Sequence, residues 1–203
     1  MNNNVSAEEY KRRMERRREI KEKRLANMKA EKGLIIVHTG DGKGKTTAAL
    51  GMVIRSLGHG YKVAIIQFIK GAWEPAEKKV LQQWKGQLEF HAMGEGFTWE
   101  TQDRERDIIC ASNAWEKAKS FIFNPDYRLI LLDEINVALG LGYLNLGDVI
   151  NTIKNKPATT HIILTGRGAK QELIEMADLV TEMKLIKHPF REQGIKAQPG
   201  IEY

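Results

Sequence analysis

The sequence predicts an α/β fold with an open, mostly parallel sheet and helices on both faces, in the three-layer arrangement of P-loop, RecA-like proteins. Three observations carry that expectation. Stretches of strand character alternate with stretches of helix character from Gly33 onward, the pattern made by parallel strands joined through right-handed crossovers. The run Val63-Ala64-Ile65-Ile66-Gln67-Phe68-Ile69 is almost continuously apolar, as a parallel strand covered on both faces should be. The Gly-rich segment His38-Thr39-Gly40-Asp41-Gly42-Lys43-Gly44-Lys45-Thr46-Thr47 follows the apolar Leu34-Ile35-Ile36-Val37 and precedes the helix-forming Ala48-Ala49-Leu50-Gly51-Met52. Strand, turn and helix in that order are what a phosphate-binding loop needs.

Ahead of the fold, residues 5–31 read as a helix dense in charges of both signs, from Glu8-Glu9 through Arg16-Arg17-Arg18 to Lys21-Glu22-Lys23-Arg24. Its apolar positions, Tyr10, Met14, Ile20, Leu25 and Met28, are too sparse for a wide core-facing stripe. A charged helical arm over 1–32 is therefore expected beside a single domain over 33–203. In that domain a strand over 34–39 runs into the loop, and a helix from Lys45 to about Leu57 stops at Gly58-His59-Gly60, a C-cap signal. A strand over 62–69, a helix around 75–84 and a short strand over 88–92 follow. Next come the glycine-flexed loop Gly94-Glu95-Gly96-Phe97-Thr98-Trp99 and a long helix over 102–122. A strand over 128–132 then runs into Asp133-Glu134, ahead of a helix over about 144–154. A strand over 161–165 ends in Gly166-Arg167-Gly168, and a helix over 172–177 leads to a last strand over 179–185.

The 203 residues suit one domain with a full-sized core and a short appendage. No apolar run approaches the ~20 residues that span a bilayer, and the first residues are too charged for a secretory signal. A soluble protein with no membrane partner is expected. The single cysteine, Cys110, sits between Ile109 and Ala111 on the long helix; it reads as a small buried residue in a reducing cytoplasm rather than a nucleophile. The formal net charge is +6, yet residues 1–32 carry +5 of it and the body is almost neutral. A nucleic-acid channel would leave a larger basic excess in the body, so no nucleic-acid partner is expected.

Ligands of open α/β sheets sit beyond the carboxyl ends of the strands. Four strand ends carry unusual residues here: the Gly-rich loop, Gln67 to Lys70, Asp133-Glu134, and Thr165-Gly166-Arg167-Gly168. In the loop, Gly40, Gly42 and Gly44 let the backbone approach phosphates, Lys45 reaches their oxygens, and the Thr46 hydroxyl ligates a Mg²⁺ shared with them. The common spacing places a further Gly where Thr39 stands, so this loop is shorter and denser in glycine. Asp133 can hold the Mg²⁺ directly or through water, and Glu134 can act as a base or a second metal contact. Arg167 can pair with phosphate oxygens through two parallel hydrogen bonds. Phe97 and Trp99, two residues apart in a flexed loop, either tuck the loop onto the body or form a platform for a broad planar ligand.

These residues together resemble the P-loop type of ATP:corrinoid adenosyltransferase. The matching stretches are His38 to Ala49, Gln67-Phe68-Ile69-Lys70-Gly71, Gly96-Phe97-Thr98-Trp99-Glu100-Thr101-Gln102, Leu131-Leu132-Asp133-Glu134, Leu164-Thr165-Gly166-Arg167-Gly168, and Lys187-His188-Pro189-Phe190 with Gly194-Ile195-Lys196-Ala197-Gln198. The shortened phosphate loop is part of that family's pattern. After Trp73 a short Pro/Gly turn ending in Glu is expected, where this chain has Glu74-Pro75-Ala76-Glu77.

The resemblance implies transfer of the 5′-deoxyadenosyl group of ATP to Co(I) of a corrinoid, with release of triphosphate. It implies Mg²⁺ with ATP, and a corrinoid substrate whose cobalt takes no protein ligand. Lys45, Thr46, Glu134 and Arg167 are the expected catalytic residues, and Thr46, Asp133 and Glu134 the metal-binding ones. Gly40, Asp41, Gly42, Lys43, Gly44, Lys45, Thr46 and Thr47, with Arg55 on the following helix, are expected to bind ATP in a reversed orientation, γ-phosphate deep in the loop. Phe97 and Trp99 are expected to bind the corrinoid and displace its lower axial base. A homodimer in which the arm of one subunit caps the partner's site is further implied, with a reduced flavoprotein such as flavodoxin as electron donor. From the residues alone, a P-loop ATPase that uses Glu134 to activate water, a small-molecule kinase and a non-enzymatic carrier stay open as rivals. The ATPase leaves Phe97 and Trp99 unexplained, and no Arg-rich lid of a kinase is visible.

Overall fold

The structure, a computed structural model, describes residues 6–26, 31–69, 76–93 and 103–201. The loop with Phe97 and Trp99, Lys70-Gly71 and Trp73-Glu74-Pro75 lie outside the described residues. The chain divides into two compact units, Met1–Glu31 and Lys32–Tyr203. The first holds helix α1 (Ala7–Ala26), with Glu8 and Glu9 in its first turn and Lys23 and Arg24 in its last, the placement that complements the helix dipole. Arg13 pairs with Glu9 at 3.3 Å and Arg18 with Glu22 at 2.7 Å, each one turn apart. α1 buries none of its residues, so such pairs and charge placement, not a core, support it.

In the second unit the order is β1 (Ile35–Thr39), α2 (Lys45–Gly58), β2 (Lys62–Gln67), α3 (Ala76–Leu81), a 3₁₀ turn (Gln82–Trp84), β3 (Leu88–Ala92) and α4 (Arg104–Ile122), followed by β4 (Tyr127–Asp133), α5 (Ile135–Gly140), α6 (Leu146–Lys154), β5 (His161–Thr165), α7 (Gln171–Met176), β6 (Leu179–Glu182) and α8 (Pro189–Gln193). The six strands form one sheet in the order β3-β2-β4-β5-β1-β6, and every pairing in it is parallel. Alternate residues of each strand serve opposite faces, as the strand period requires. Ile130 and Leu132 pack with Ala114, Trp115, Ala118 and Ile122 of α4 and with Val149 and Ile153 of α6. Leu129 and Leu131 pack on the other side with Ala49, Leu50, Val53 and Leu57 of α2 and Leu81 of α3. Two cores separated by a sheet make the three layers, and no helix among the described residues is long and apolar enough to cross a membrane.

Three local differences from the sequence reading have physical causes. β6 ends at Glu182 rather than continuing to 185 because its partner β1 ends at Thr39: Met183 donates the last hydrogen bond of that pairing to the Thr39 carbonyl at 2.8 Å, and its own carbonyl accepts from the Gly42 N–H of the phosphate loop at 2.7 Å. α5 has no signature in the sequence: its six residues are too few for a periodic signal, yet Ile135, Ala138 and Leu139 lie buried on one face. The helix around 75–84 resolves into α3 and the 3₁₀ turn.

Candidate active site at the carboxyl ends of the strands

The register sets out the site in a row. Gln67 of β2 lies opposite Asp133 of β4, and His38 of β1 opposite Thr165 of β5, with β5 between β4 and β1. Between β1 and α2 the phosphate loop turns through Gly40 at φ 94° and Gly44 at φ 103°, left-handed positions where a Cβ is disfavoured. Gly42 is required for a different reason: a Cβ there would stand 2.7 Å from the Met183 carbonyl and 2.8 Å from that of Lys184. Gly44 caps α2 without a side chain, leaving the first-turn N–H groups to a ligand. Amides and helix dipole together favour an anion at that position.

Lys45 is buried, and its Nζ donates to the carbonyls of Gly40 at 2.8 Å and Gly42 at 2.7 Å. Burial lowers its pKa, the charges of Arg167 and Lys43 adding to that effect and those of Glu134 and Asp41 opposing it. Behind the loop, the ring of buried His38 meets the Lys45 carbonyl at 3.2 Å and ties the strand end to the first turn of α2.

Asp133 is the hub. Its Oδ1 accepts from the Thr46 hydroxyl at 2.9 Å and the Thr165 hydroxyl at 2.6 Å, and its Oδ2 accepts from Gln67 Nε2 at 3.0 Å. A hydroxyl has one proton and two lone pairs. Thr46 gives its proton to Asp133, so its lone pairs are the ones available to a cation. Thr165 also accepts from the Glu134 N–H at 3.0 Å, fixing in one contact both the carboxylate and the backbone of the next residue.

Glu134 has φ 61° and ψ 18°, the sole left-handed non-glycine residue among those described. Its carboxylate lies against the β5 turn: a Cβ on Gly166 would meet Glu134 Oε2 at 3.1 Å and Asn136 Cβ at 3.0 Å. The fully buried Asn136 holds that turn by donating from Nδ2 to the Gly166 carbonyl at 3.2 Å. Burial first, and the neighbouring Asp133 second, push the Glu134 pKa up to about 7, against the pull of Lys45 and Arg167. Arg167 is exposed in its turn, within electrostatic reach of both Glu134 and Lys45.

The structure thus brings together Lys45, Thr46, Asp133, Glu134 and Arg167, with Asp41, Lys43 and Thr47 on the outer side of the loop. It does not bring Arg55 to them. That residue is exposed in the last turn of α2, about 15 Å along the helix axis from Lys45 at 1.5 Å per residue. The sequence reading did not assign site roles to Thr165, Gln67, Asn136 or Met183. For the first two a signal exists, a polar residue closing an otherwise apolar strand; for Asn136 and Met183 the role depends on contacts between elements distant in sequence.

A family model described as ATP:corrinoid adenosyltransferase BtuR/CobO/CobP matches residues 31–203. A corrinoid adenosyltransferase of Pseudomonas aeruginosa is 48% identical over 194 residues, 96% of this chain and 95% of the relative. One from Sinorhizobium sp. is 52% identical over 94% of this chain and 89% of its own, and one from Escherichia coli K12 is 41% identical over 98% and 100%. Among solved structures, the RadB recombinase is 16% identical with a TM-score of 0.48, over 78% of this chain and 77% of that one.

Proposed function

The chain belongs to the ATP:corrinoid adenosyltransferase family, and from that premise we propose how its residues move the 5′-deoxyadenosyl group of ATP to a corrinoid. The cobalt of the substrate, as Co(I), gives an electron pair to C5′ and becomes formally Co(III). The C5′–O bond breaks, and its electron pair leaves with inorganic triphosphate. The nucleophile belongs to the substrate, so no side chain need attack, and the protein supplies position and field. The triphosphate lies in the loop, where Lys45 exchanges the Gly40 and Gly42 carbonyls for phosphate oxygens. The α2 N-terminus, Lys43 and Arg167 oppose the charge that develops as it leaves.

The donor set fits Mg²⁺. Thr46 turns lone pairs outward because its proton is held by Asp133, and the neighbouring donors are carboxylate oxygens, which suit a hard cation. Among the described residues no three His, Cys, Asp or Glu gather, so phosphates and water complete the shell, as is usual for Mg²⁺. Thr46 would hold the ion, with Asp133 and Glu134 beside it, and the bound ion would supply charge neutralisation to the departing triphosphate. Phe97 and Trp99 cover the lower face of the corrin, where an apolar surface cannot donate to cobalt. The chain acts in the cytoplasm as a homodimer, its arm closing the partner's site, with a reduced flavoprotein such as flavodoxin delivering the electron.

The observation that carries the reading is the Thr46–Asp133–Thr165 chain of hydrogen bonds directly beneath a glycine-built anion loop. Its test is anaerobic incubation with ATP, Mg²⁺ and chemically reduced cobalamin, following the visible spectrum and the phosphate product. A light-sensitive Co–C species formed with one equivalent of triphosphate is expected. ADP and orthophosphate with an unchanged corrinoid spectrum would replace this reading with ATP hydrolysis.

A further inference from the structure

Gln67 presents a feature that the site described above does not use. Its Nε2 donates to Asp133 Oδ2 at 3.0 Å, and its Oε1 is buried with no hydrogen-bond partner among the described residues. The amide orientation follows from chemistry: a carboxylate oxygen that accepts must face the NH₂ end, which turns the carbonyl end away. A frayed strand end does not explain the orphan. Gln67 is in register with Asp133, and the next residue, Phe68, donates its N–H to the Asp133 carbonyl at 2.9 Å. Both neighbours in sequence, Ile66 and Phe68, are core residues, so an apolar side chain could have closed this strand without leaving an acceptor unmet. Buried acceptors are rarely left so in folded chains, and exceptions call for a ligand or a bound water.

We propose that Gln67 is an outer-sphere partner of the cation: Oε1 accepts a hydrogen bond from a water in its hydration shell while Nε2 holds Asp133 in place. The inference rests on the reading of Thr46 and Asp133 as the cation site. Mg²⁺ keeps several of its waters when bound, and their polarised protons need acceptors. Asp133 already receives three donors, so most of its acceptor capacity is used. Gln67, in register with Asp133 on the neighbouring strand, supplies a further acceptor. Gln67 is thus a positioning residue for the ion.

The test uses the full-length protein with Mn²⁺ and a non-reactive ATP analogue, without corrinoid, reading bound Mn²⁺ from the loss of the free-ion electron paramagnetic resonance signal. Gln67→Leu and Gln67→Met should weaken Mn²⁺ binding about five- to tenfold, the loss of one hydrogen bond, with analogue binding in the absence of metal unchanged. Gln67→Lys keeps a donor for Asp133 and removes the acceptor, so it should bind Mn²⁺ no more tightly than Gln67→Leu. If Gln67 served only to brace Asp133, Gln67→Lys would bind Mn²⁺ as the parent does, and the proposal would fall. Weaker analogue binding without metal in the leucine variant would assign Oε1 to a ribose hydroxyl and overturn the proposal too. Thr46→Ala and Asp133→Asn are the controls: if neither affects Mn²⁺, the cation site itself is wrong and the proposal falls with it. If they abolish binding while both Gln67→Leu and Gln67→Met leave it intact, only the role of Gln67 is lost.

Discussion

Glu134 holds a carboxyl in a half-buried position next to a second carboxylate, and the consequence is a dependence of stability on pH. In the unfolded chain the group has an ordinary pKa of 4.5, and in the fold it is raised to about 7. Between those values the folded chain keeps a proton that the unfolded chain has released. Stability therefore falls as pH rises through that window, by at most on the order of 3 kcal/mol, and levels off above it. Glu134→Gln removes the titration. In urea unfolding without nucleotide, the variant should gain on the parent at pH 8 and differ little from it at pH 5; an equal change at both would mean Glu134 titrates normally. A second residue-scale prediction concerns Trp99. If its ring favours cobalt without a lower ligand, Trp99→Ala should slow adenosylation starting from Co(II) far more than from chemically prepared Co(I), whereas equal losses in the two assays would remove that role. The sequence shows Lys45, Thr46, Asp133 and Glu134 because each sits at a fixed offset from an apolar strand. It does not show that Glu134 adopts a left-handed backbone, or that one threonine hydroxyl fixes two of its neighbours, because both depend on β4 and β5 lying side by side.

At the scale of elements, two glycines that look alike in sequence do opposite things. Gly51 lies inside α2, and apart from its own helix backbone nothing among the described residues comes within 4 Å of a would-be Cβ, so Gly51→Ala should stabilise the chain by about 0.5–1 kcal/mol through helix propensity alone. Gly166 has φ 124°, and a Cβ there would press on Asn136, on Glu134 Oε2 and on the Val137 N–H, at 3.0–3.1 Å. Gly166→Ala should cost about 1–3 kcal/mol and displace the Glu134 carboxylate. Thermal unfolding of the two variants should therefore move in opposite directions from the parent. The same logic explains which elements were legible. Strands β1 to β5 and helices α2, α4 and α6 are long or apolar enough for periodicity to reveal them. α5 is not, and its start is set by the strained Glu134 rather than by a capping side chain. β6 is shorter than its composition suggests because β1 ends at Thr39 and the phosphate loop takes the Met183 carbonyl, a contact between segments about 140 residues apart.

At the scale of the molecule, the charge and the chemistry are segregated. Residues 1–32 carry +5 of the net +6, while every residue of the strand-end site belongs to the compact unit Lys32–Tyr203. The helix of the first unit buries nothing of its own, and a helix with so sparse an apolar stripe gains little from solvent alone. If the arm closes the corrinoid site of a partner subunit, deleting residues 1–30 should leave ATP-analogue affinity nearly unchanged, because the loop, Asp133 and Thr165 all remain. Corrinoid affinity should fall, and turnover at subsaturating corrinoid should fall with it. Mixing the truncated chain with a full-length chain disabled by Lys45→Ala separates arm from site. Mixed dimers pair an intact arm with an intact loop on opposite subunits, so turnover at subsaturating corrinoid should return in the mixture. Should deletion alter neither corrinoid affinity nor turnover, the arm is a solvated tail, and the site is complete within a single chain.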